Sequence, residues 1–247
     1  MPDAMSSDSK LSSMESTQPS RRNFLRGSAA AVAGVVTAGI AAQSAHSFFN
    51  PTSVAAQTTL SPDAALKALM DGNTRFVGGK TTAPEHDVAA LRQQLEQKQE
   101  PFAAVLSCAD SRVPVEIVFD QSFGQLFVTR VAGNIITPEI IASLEYGVAV
   151  LGTKAILVLG HSNCGAVHAA VAGKPVPGQI SVLYAHIQPA VDKAGPDYKA
   201  VTKANAKIQA KLLSQASTVI AEKIKEGGLK VVAGYYDIGT GAVTLLT

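Results

Sequence analysis

Residues 102–112 read Phe-Ala-Ala-Val-Leu-Ser-Cys-Ala-Asp-Ser-Arg, and this stretch decides how the rest of the chain is interpreted. The apolar run that opens it has no polar alternation, which is typical of a strand covered on both faces in a parallel sheet. Directly after the run, Cys108, Asp110 and Arg112 place a thiol, a carboxylate and a guanidinium at alternate positions. The stretch therefore predicts a buried strand whose carboxyl end carries reactive groups.

Strand and helix patterns alternate on both sides of this stretch. Apolar runs predict further strands at residues 126–131, 155–159, 229–235 and 242–246. Helical spacing of apolar residues predicts helices from Ser61 to Gly78 and at 87–98, 138–150, 164–173, 181–193 and 201–226. This alternation predicts an α/β domain of three layers, in which helices flank a mainly parallel central sheet.

The N-terminal segment, residues 1–56, does not share this pattern. Its first nineteen residues are rich in Ser and Met, as in a disordered leader. Arg21-Arg22 then precede the uncharged, Ala- and Gly-rich run 27–42, which is typical of a twin-arginine export signal. A membrane anchor or a chance basic pair is the alternative, but a spanning helix needs about 20 strongly apolar residues.

Small residues that suit signal cleavage occur at 42–45 and at 54–56, and the second position is favoured. We therefore expect a leader and signal peptide at 1–56 and one domain at 57–247. The mature protein is expected in the periplasm, with no stable membrane insertion after cleavage. That domain keeps 17 basic and 16 acidic residues, a balance that gives no reason to expect nucleic acid as a partner.

The chain has two cysteines, Cys108 and Cys164. Export to an oxidising compartment makes a disulfide the default interpretation. Both cysteines, however, stand beside other metal-binding residue types. Because the twin-arginine route carries folded proteins, a metal–thiolate site formed in the cytoplasm is the second interpretation.

A second reactive motif, His161-Ser-Asn-Cys164, follows the predicted strand 155–159. Carboxyl ends of parallel strands meet at one edge of a sheet, so Cys108 and this motif are expected close together. Two thiolates and an imidazole suit zinc and fill three of its four tetrahedral positions. Water or the Asp110 carboxylate is expected in the fourth.

Two motifs, Cys108-Ala-Asp110-Ser-Arg112-Val-Pro and Gly160-His161-Ser-Asn-Cys164-Gly, resemble those of the β-class carbonic anhydrases. The resemblance implies a β-carbonic anhydrase-like fold and a Zn²⁺ lyase that interconverts carbon dioxide and bicarbonate. It implies Cys108, His161 and Cys164 as metal ligands, a zinc-bound hydroxide as the reactant, and an Asp110–Arg112 dyad that gates the metal. Asp110 is then a fourth ligand in a closed state.

The same resemblance implies a substrate pocket and an oligomer. Gln99 would donate a hydrogen bond to the substrate, and Phe127, Ala132 and Tyr146 would form apolar walls. Family members assemble their active sites at a dimer interface, so a homodimer or homotetramer is expected. His168 is a candidate proton carrier because an imidazole titrates near neutral pH.

The sequence departs from the family at two positions and leaves two other functions open. Val105 stands where members with a noncatalytic bicarbonate site tend to carry Trp, and Val131 replaces a frequent Asn.

Hydrolysis of carbon disulfide or carbonyl sulfide would use the same zinc scaffold. A protein with a purely structural zinc would need no Asp110–Arg112 dyad, because its fourth position would be closed by a ligand.

Overall fold

A computed structural model describes residues 58–83 and 88–246 of the 247-residue chain. The predicted leader, the export signal and both candidate cleavage positions lie outside the described residues. Asp87, the predicted start of the second helix, also lies outside them.

Five strands form one sheet in the order β2-β1-β3-β4-β5. Their bounds are β1 Ala103–Ser107, β2 Leu126–Arg130, β3 Ala155–His161, β4 Lys230–Tyr236 and β5 Val243–Leu246. The β1–β2, β1–β3 and β3–β4 pairs are parallel, and β5 is an antiparallel edge strand. The predicted mainly parallel sheet is therefore confirmed.

Helices cover both faces of this sheet. Their bounds are α1 Pro62–Val77, α2 Val88–Leu95, α3 Val115–Val118, α4 Pro138–Ala149, α5 Gly165–Ala172, α6 Val182–Ala194, α7 Tyr198–Ala216 and α8 Thr218–Lys225. Alternate residues of β1 enter different cores: Val105 packs with Leu69 of α1, and Leu106 packs with Leu144 of α4. None of the helices within the described residues is long and apolar enough to cross a bilayer.

Three local predictions differ from the structure. The predicted helix 201–226 is two helices, because Ser217 has an extended backbone that ends α7 and caps α8. Its hydroxyl accepts from Ile220 N and donates to Glu145 of α4, and these bonds stabilise the break. The helix predicted at 87–98 ends at Leu95, and the four-residue α3 has no counterpart among the predicted elements.

The strand register sets where the functional groups lie. Ser107, the last residue of β1, pairs with Arg130 of β2 and with Leu159 of β3. Cys108 therefore leaves β1 at the edge of the sheet where His161 ends β3.

One buried amide connects α1, α3 and the β4–β5 hairpin. Asn73 of α1 is 4% exposed, and its Nδ2 donates to Val118 O of α3 and to Gly241 O. Its Oδ1 accepts from Val243 N of β5. These bonds satisfy backbone groups that burial would otherwise leave without partners.

A buried carboxylate holds the segment that follows α1. Asp120 accepts from Arg75 Nε at 2.5 Å, from Thr82 N at 2.8 Å and from Ala83 N at 2.9 Å. Burial acts to raise the pKa of Asp120, but these hydrogen bonds outweigh it and the pKa lies below its ordinary value.

We expect Asp120→Asn to lower the free energy of unfolding by about 2 kcal/mol at pH 7, because it leaves buried donors poorly matched. A lowered native pKa stabilises the fold above the pKa of the unfolded chain, and this contribution is lost as the pH falls through the native value. The deficit should therefore be constant at neutral pH and shrink below about pH 4. Urea unfolding at several pH values measures it.

The control is Asp71→Asn, which removes the exposed Lys67–Asp71 ion pair of α1. Such pairs contribute little to stability, so this variant should match the wild type. A deficit in Asp120→Asn that grows towards low pH would contradict the assigned role.

Candidate metal centre

Cys108, His161 and Cys164 meet at the carboxyl edge of the sheet. One ligand atom from each lies within 4.8 Å of the others, and all three side chains are buried. The two Sγ atoms are 4.0 Å apart. Sulfurs bound to a tetrahedral zinc at about 2.3 Å would be about 3.8 Å apart, so the thiol pair has the spacing of two metal ligands.

The orientation of His161 also suits a metal. Its Nδ1 lies 2.9 Å from Ser162 O and donates to that carbonyl, which leaves the lone pair on Nε2. The Nε2 atom is buried and has no hydrogen-bond partner among the described residues. A buried nitrogen without a partner is costly, and a bound cation would satisfy it.

Cys108 is the more acidic of the two thiols. A hydrogen bond from Cys164 lowers the pKa of Cys108, and the Gly133 N–H acts in the same direction against the effect of burial. The bond with Cys108 and burial raise the pKa of Cys164. The Gly133 N–H lies 3.3 Å from Cys108 Sγ and stabilises its thiolate.

Asp110 and Arg112 form a bidentate pair beside this cluster. Arg112 Nε donates to Asp110 Oδ1 at 2.9 Å, and Nη2 donates to Oδ2 at 2.8 Å. The backbone N–H of Arg112 also donates to Oδ1, at 2.9 Å. The Arg112 guanidinium therefore holds the pKa of Asp110 well below its usual range, against a smaller effect of burial. Asp110 Oδ2 lies 3.9 Å from His161 Nε2, next to the point where a metal would sit.

Two further contacts hold the site, and neither was predicted from the sequence. Arg112 Nη2 also donates to Asn163 O at 3.1 Å, which joins the loop after β1 to the loop after β3. Arg130 donates to the backbone oxygens of Cys108 and Asp110 at 2.9 and 2.5 Å. The sequence signals for Arg130 were its place near the end of the predicted strand 126–131 and the family resemblance of residues 130–134, and neither specified this contact.

The predicted pocket residues do not all lie at this edge. Ala132 stands next to Gly133 and hence beside Cys108. Gln99 is exposed before the amino end of β1, and the five residues of that strand, roughly 16 Å, separate it from Cys108. Phe127 pairs with Ala104, about four residues upstream of Cys108.

The ring of Phe127 lies 6.3 Å from the ring of Tyr146, centroid to centroid, and Tyr146 is 47% exposed. Gln99, Phe127 and Tyr146 therefore lie away from the cysteine cluster of their own chain. Val105 is fully buried in the core, and Val131 donates its N–H to Ser107 O. His168 stacks on Tyr198 with ring centroids 3.8 Å apart.

The comparisons with known proteins decide the family. The family model described as carbonic anhydrase matches residues 103–243. Carbonic anhydrase 2 of Mycobacterium tuberculosis is 37% identical over 192 residues, which cover 74% of this chain and 92% of that protein. The chain belongs to the β-class carbonic anhydrases. The carbonic anhydrase of Mycolicibacterium smegmatis is 38% identical over 197 residues, which cover 74% of this chain and 93% of that protein.

Solved β-carbonic anhydrases share the fold. A tetrameric β-carbonic anhydrase of Sordaria macrospora superposes with a TM-score of 0.59 at 26% identity, over 73% of this chain and 96% of that one. The enzyme of Coccomyxa, solved with acetazolamide, has a TM-score of 0.58 at 26% identity and covers 73% and 86% of the two chains.

A model of the twin-arginine signal sequence matches residues 18–38. These findings confirm the predicted fold class, the carbonic anhydrase assignment and the export signal. The positions of the ligand atoms show that Cys108, His161 and Cys164 can hold a metal in this carbonic anhydrase.

We expect Cys164→Ser to abolish stable metal binding, because it removes one of two thiolates from a site with three protein ligands. Metal content after dialysis against a mild chelator, measured by mass spectrometry, should fall from one ion per chain to near zero.

His168→Gln is the matched control, since it changes an imidazole on α5 that lies outside the cluster. It should keep its metal. Equal metal content in wild type and Cys164→Ser would contradict the assignment of Cys164 as a ligand.

Proposed function

We propose that this chain is a zinc enzyme that reversibly hydrates carbon dioxide to bicarbonate and a proton. Cys108, His161 and Cys164 hold the zinc ion. The observation that carries the proposal is the position of Asp110, whose Oδ2 lies 3.9 Å from His161 Nε2 while Arg112 holds both of its oxygens. A structural zinc site would have a fourth ligand there and no need for such a pair.

When bound, zinc supplies a Lewis acid that makes a water molecule in its open position acidic enough to react near neutral pH. Two thiolates neutralise the charge of the dication, which weakens this effect compared with a site of three neutral imidazoles. The protein must therefore help to orient the water and to accept its hydrogen bond.

Asp110 supplies this acceptor. Its low pKa keeps the carboxylate ionised throughout the physiological range, so it makes a poor store for a proton. We infer that Asp110 orients the reacting water through a hydrogen bond and passes no proton to bulk solvent itself. One carboxylate oxygen suffices for this task while the other remains with Arg112.

Arg112 determines which way the carboxylate points. It donates to both Asp110 oxygens and to Asn163 O, so it ties the carboxylate to the loop that carries Cys164. With these bonds in place, Asp110 lies beside the metal position and the fourth site is open. If Arg112 releases Asp110, the carboxylate is free to occupy that site and close it.

A second copy of the chain completes the substrate pocket. Gln99, Phe127 and Tyr146 lie away from the cysteine cluster of their own chain, and Gln99 and Tyr146 are exposed. A homodimer, or a tetramer built from dimers, would bring them to the cluster of a partner. There, the apolar rings would bind carbon dioxide, and the Gln99 amide would orient it.

The twin-arginine signal supports a working compartment outside the cytoplasm. We propose that the mature enzyme acts in the periplasm, having acquired its zinc before export, and that the metal protects Cys108 and Cys164 from oxidation. Subcellular fractionation tests the compartment; activity confined to the cytoplasm would contradict it.

We expect Asp110→Asn to lower kcat for carbon dioxide hydration about a hundredfold or more, because the neutral amide is a weaker acceptor and presents an N–H to the water. Stopped-flow hydration with a pH indicator measures the rate, and zinc content should be unchanged.

Asp192→Asn, which alters an exposed carboxylate of α6, is the control and should retain wild-type activity. Full activity in Asp110→Asn would overturn the role of Asp110. A wild type that holds zinc but hydrates no carbon dioxide at neutral or alkaline pH would overturn the function.

We expect inactive chains to complement each other if the pocket is shared. A hybrid of Asp110→Asn and Gln99→Ala chains contains one site with an intact Asp110 and an intact Gln99 from the partner. Co-expression with two affinity tags isolates this hybrid. Its activity should approach half that of the wild type, far above either parent, whereas activity no higher than the parents would contradict a shared site.

A further inference from the structure

A pair of fully buried amides lies one turn apart on α7. Asn205 is 0% exposed and Gln209 is 1% exposed, and Gln209 Nε2 donates to Asn205 Oδ1 at 3.1 Å. Both face the interior, where an apolar side chain would fill the same space without needing partners. The groups to which the two amides donate and from which they accept hydrogen bonds therefore indicate the structural role of the pair.

Those contacts converge on the turn that follows β2. Asn205 Nδ2 donates to Gly133 O at 2.9 Å, and Gln209 Oε1 accepts from Ile136 N at 2.8 Å. Gln209 Nε2 also donates to His186 O of α6 at 2.9 Å. The two amides thus hold both ends of the segment 133–136 and connect it to two helices.

Gly133 is the link to the metal centre. Its N–H donates to Cys108 Sγ, while its carbonyl accepts from Asn205. Gly133 has a φ of +77°, and a Cβ there would lie 2.9 Å from Ile187 Cδ1. Close packing and the backbone conformation leave this residue little freedom, and the Asn205 amide fixes its remaining polar group.

The direction of the Gly133 N–H matters because Cys108 is buried. A buried thiolate has lost its hydration, and the donors that remain around it determine how well its charge is stabilised. Gly133 supplies one such donor from the backbone. This N–H lies in the 132–133 peptide, and the carbonyl that Asn205 holds lies in the next one, so the two are linked through the backbone angles of Gly133. A rotation about these angles would turn the N–H away from the sulfur.

We propose that Asn205 and Gln209 are positioning residues for the metal centre, which hold the Gly133 N–H on Cys108 Sγ. This inference rests on the proposed metal site. The pair acts from α7, almost a hundred residues after Cys108, and touches no ligand atom directly. It sets the orientation and charge stabilisation of one thiolate through a single backbone residue.

The test measures metal retention apart from activity. Zinc-loaded Asn205→Leu and Gln209→Met are mixed with a chromophoric chelator, and the release of zinc is followed by absorbance. We expect release about tenfold or more faster than from wild type, the size of effect seen when partners of metal ligands are removed. In the cobalt-substituted proteins, the sulfur-to-metal charge-transfer band should move to longer wavelength, because the thiolate has lost a hydrogen-bond donor.

Asn73→Leu is the matched control. It also removes a buried helical asparagine that bonds to backbone groups, but it bonds to Val118, Gly241 and Val243 rather than to Gly133. It should lose thermal stability to about the same extent as the Asn205 and Gln209 variants. Its zinc release rate and cobalt spectrum should match those of the wild type. If Asn205→Leu does not fold, Asn205→Ser carries the same test, since its hydroxyl is too short to reach Gly133.

Two negative results are distinguishable. If the wild type binds no zinc, the proposed metal site itself is wrong. If the wild type holds zinc but the Asn205 and Gln209 variants release it at the rate of Asn73→Leu with an unchanged cobalt spectrum, only the positioning role is overturned.

Discussion

The meeting of Cys108 and Cys164 in a buried site is the constraint on which the rest of the structure depends. Two thiols 4.0 Å apart cannot both ionise without a cation, because each thiolate would oppose the charge of the other. A divalent metal removes this conflict, and it also satisfies the otherwise unpartnered Nε2 of His161. The parallel pairing of β1 with β3 brings these groups together, so the same two strands build the core of the sheet and position the groups at its edge.

The surroundings of the cluster divide into two parts with different tasks. On the buried side, the backbone of Gly133 faces Cys108 and is held by amides of α7. On the exposed side, Arg112 holds Asp110 and joins the two loops that carry the cysteines. In the proposed mechanism, the first part stabilises the ligands, and the second governs access to the fourth metal position.

The sequence predicted best those features that depend on local pattern. The buried strands β1 and β3 followed from unbroken apolar runs, and the ligand cluster followed from their shared edge. The start of α1 followed from Ser61 and Pro62, and the end of α5 followed from Gly173. The break at Ser217 escaped prediction because helical spacing of apolar residues continues across it, and a hydrogen bond to Glu145 decides the outcome.

The remaining features depend on contacts that no local pattern contains. Asn205 and Gln209 look like ordinary polar positions of an amphipathic helix, and only the packed structure turns them toward Gly133. Gln99 and Tyr146 match the family by spacing, yet the single chain leaves them exposed, and the partners proposed for them belong to a second copy.

Zinc K-edge X-ray absorption of the purified wild-type protein measures the ligands of the metal. We predict one zinc per chain with two sulfur neighbours at about 2.3 Å and two nitrogen or oxygen neighbours at about 2.0–2.2 Å. Absence of zinc, or zinc with fewer or more than two sulfur neighbours, would contradict the proposed metal site.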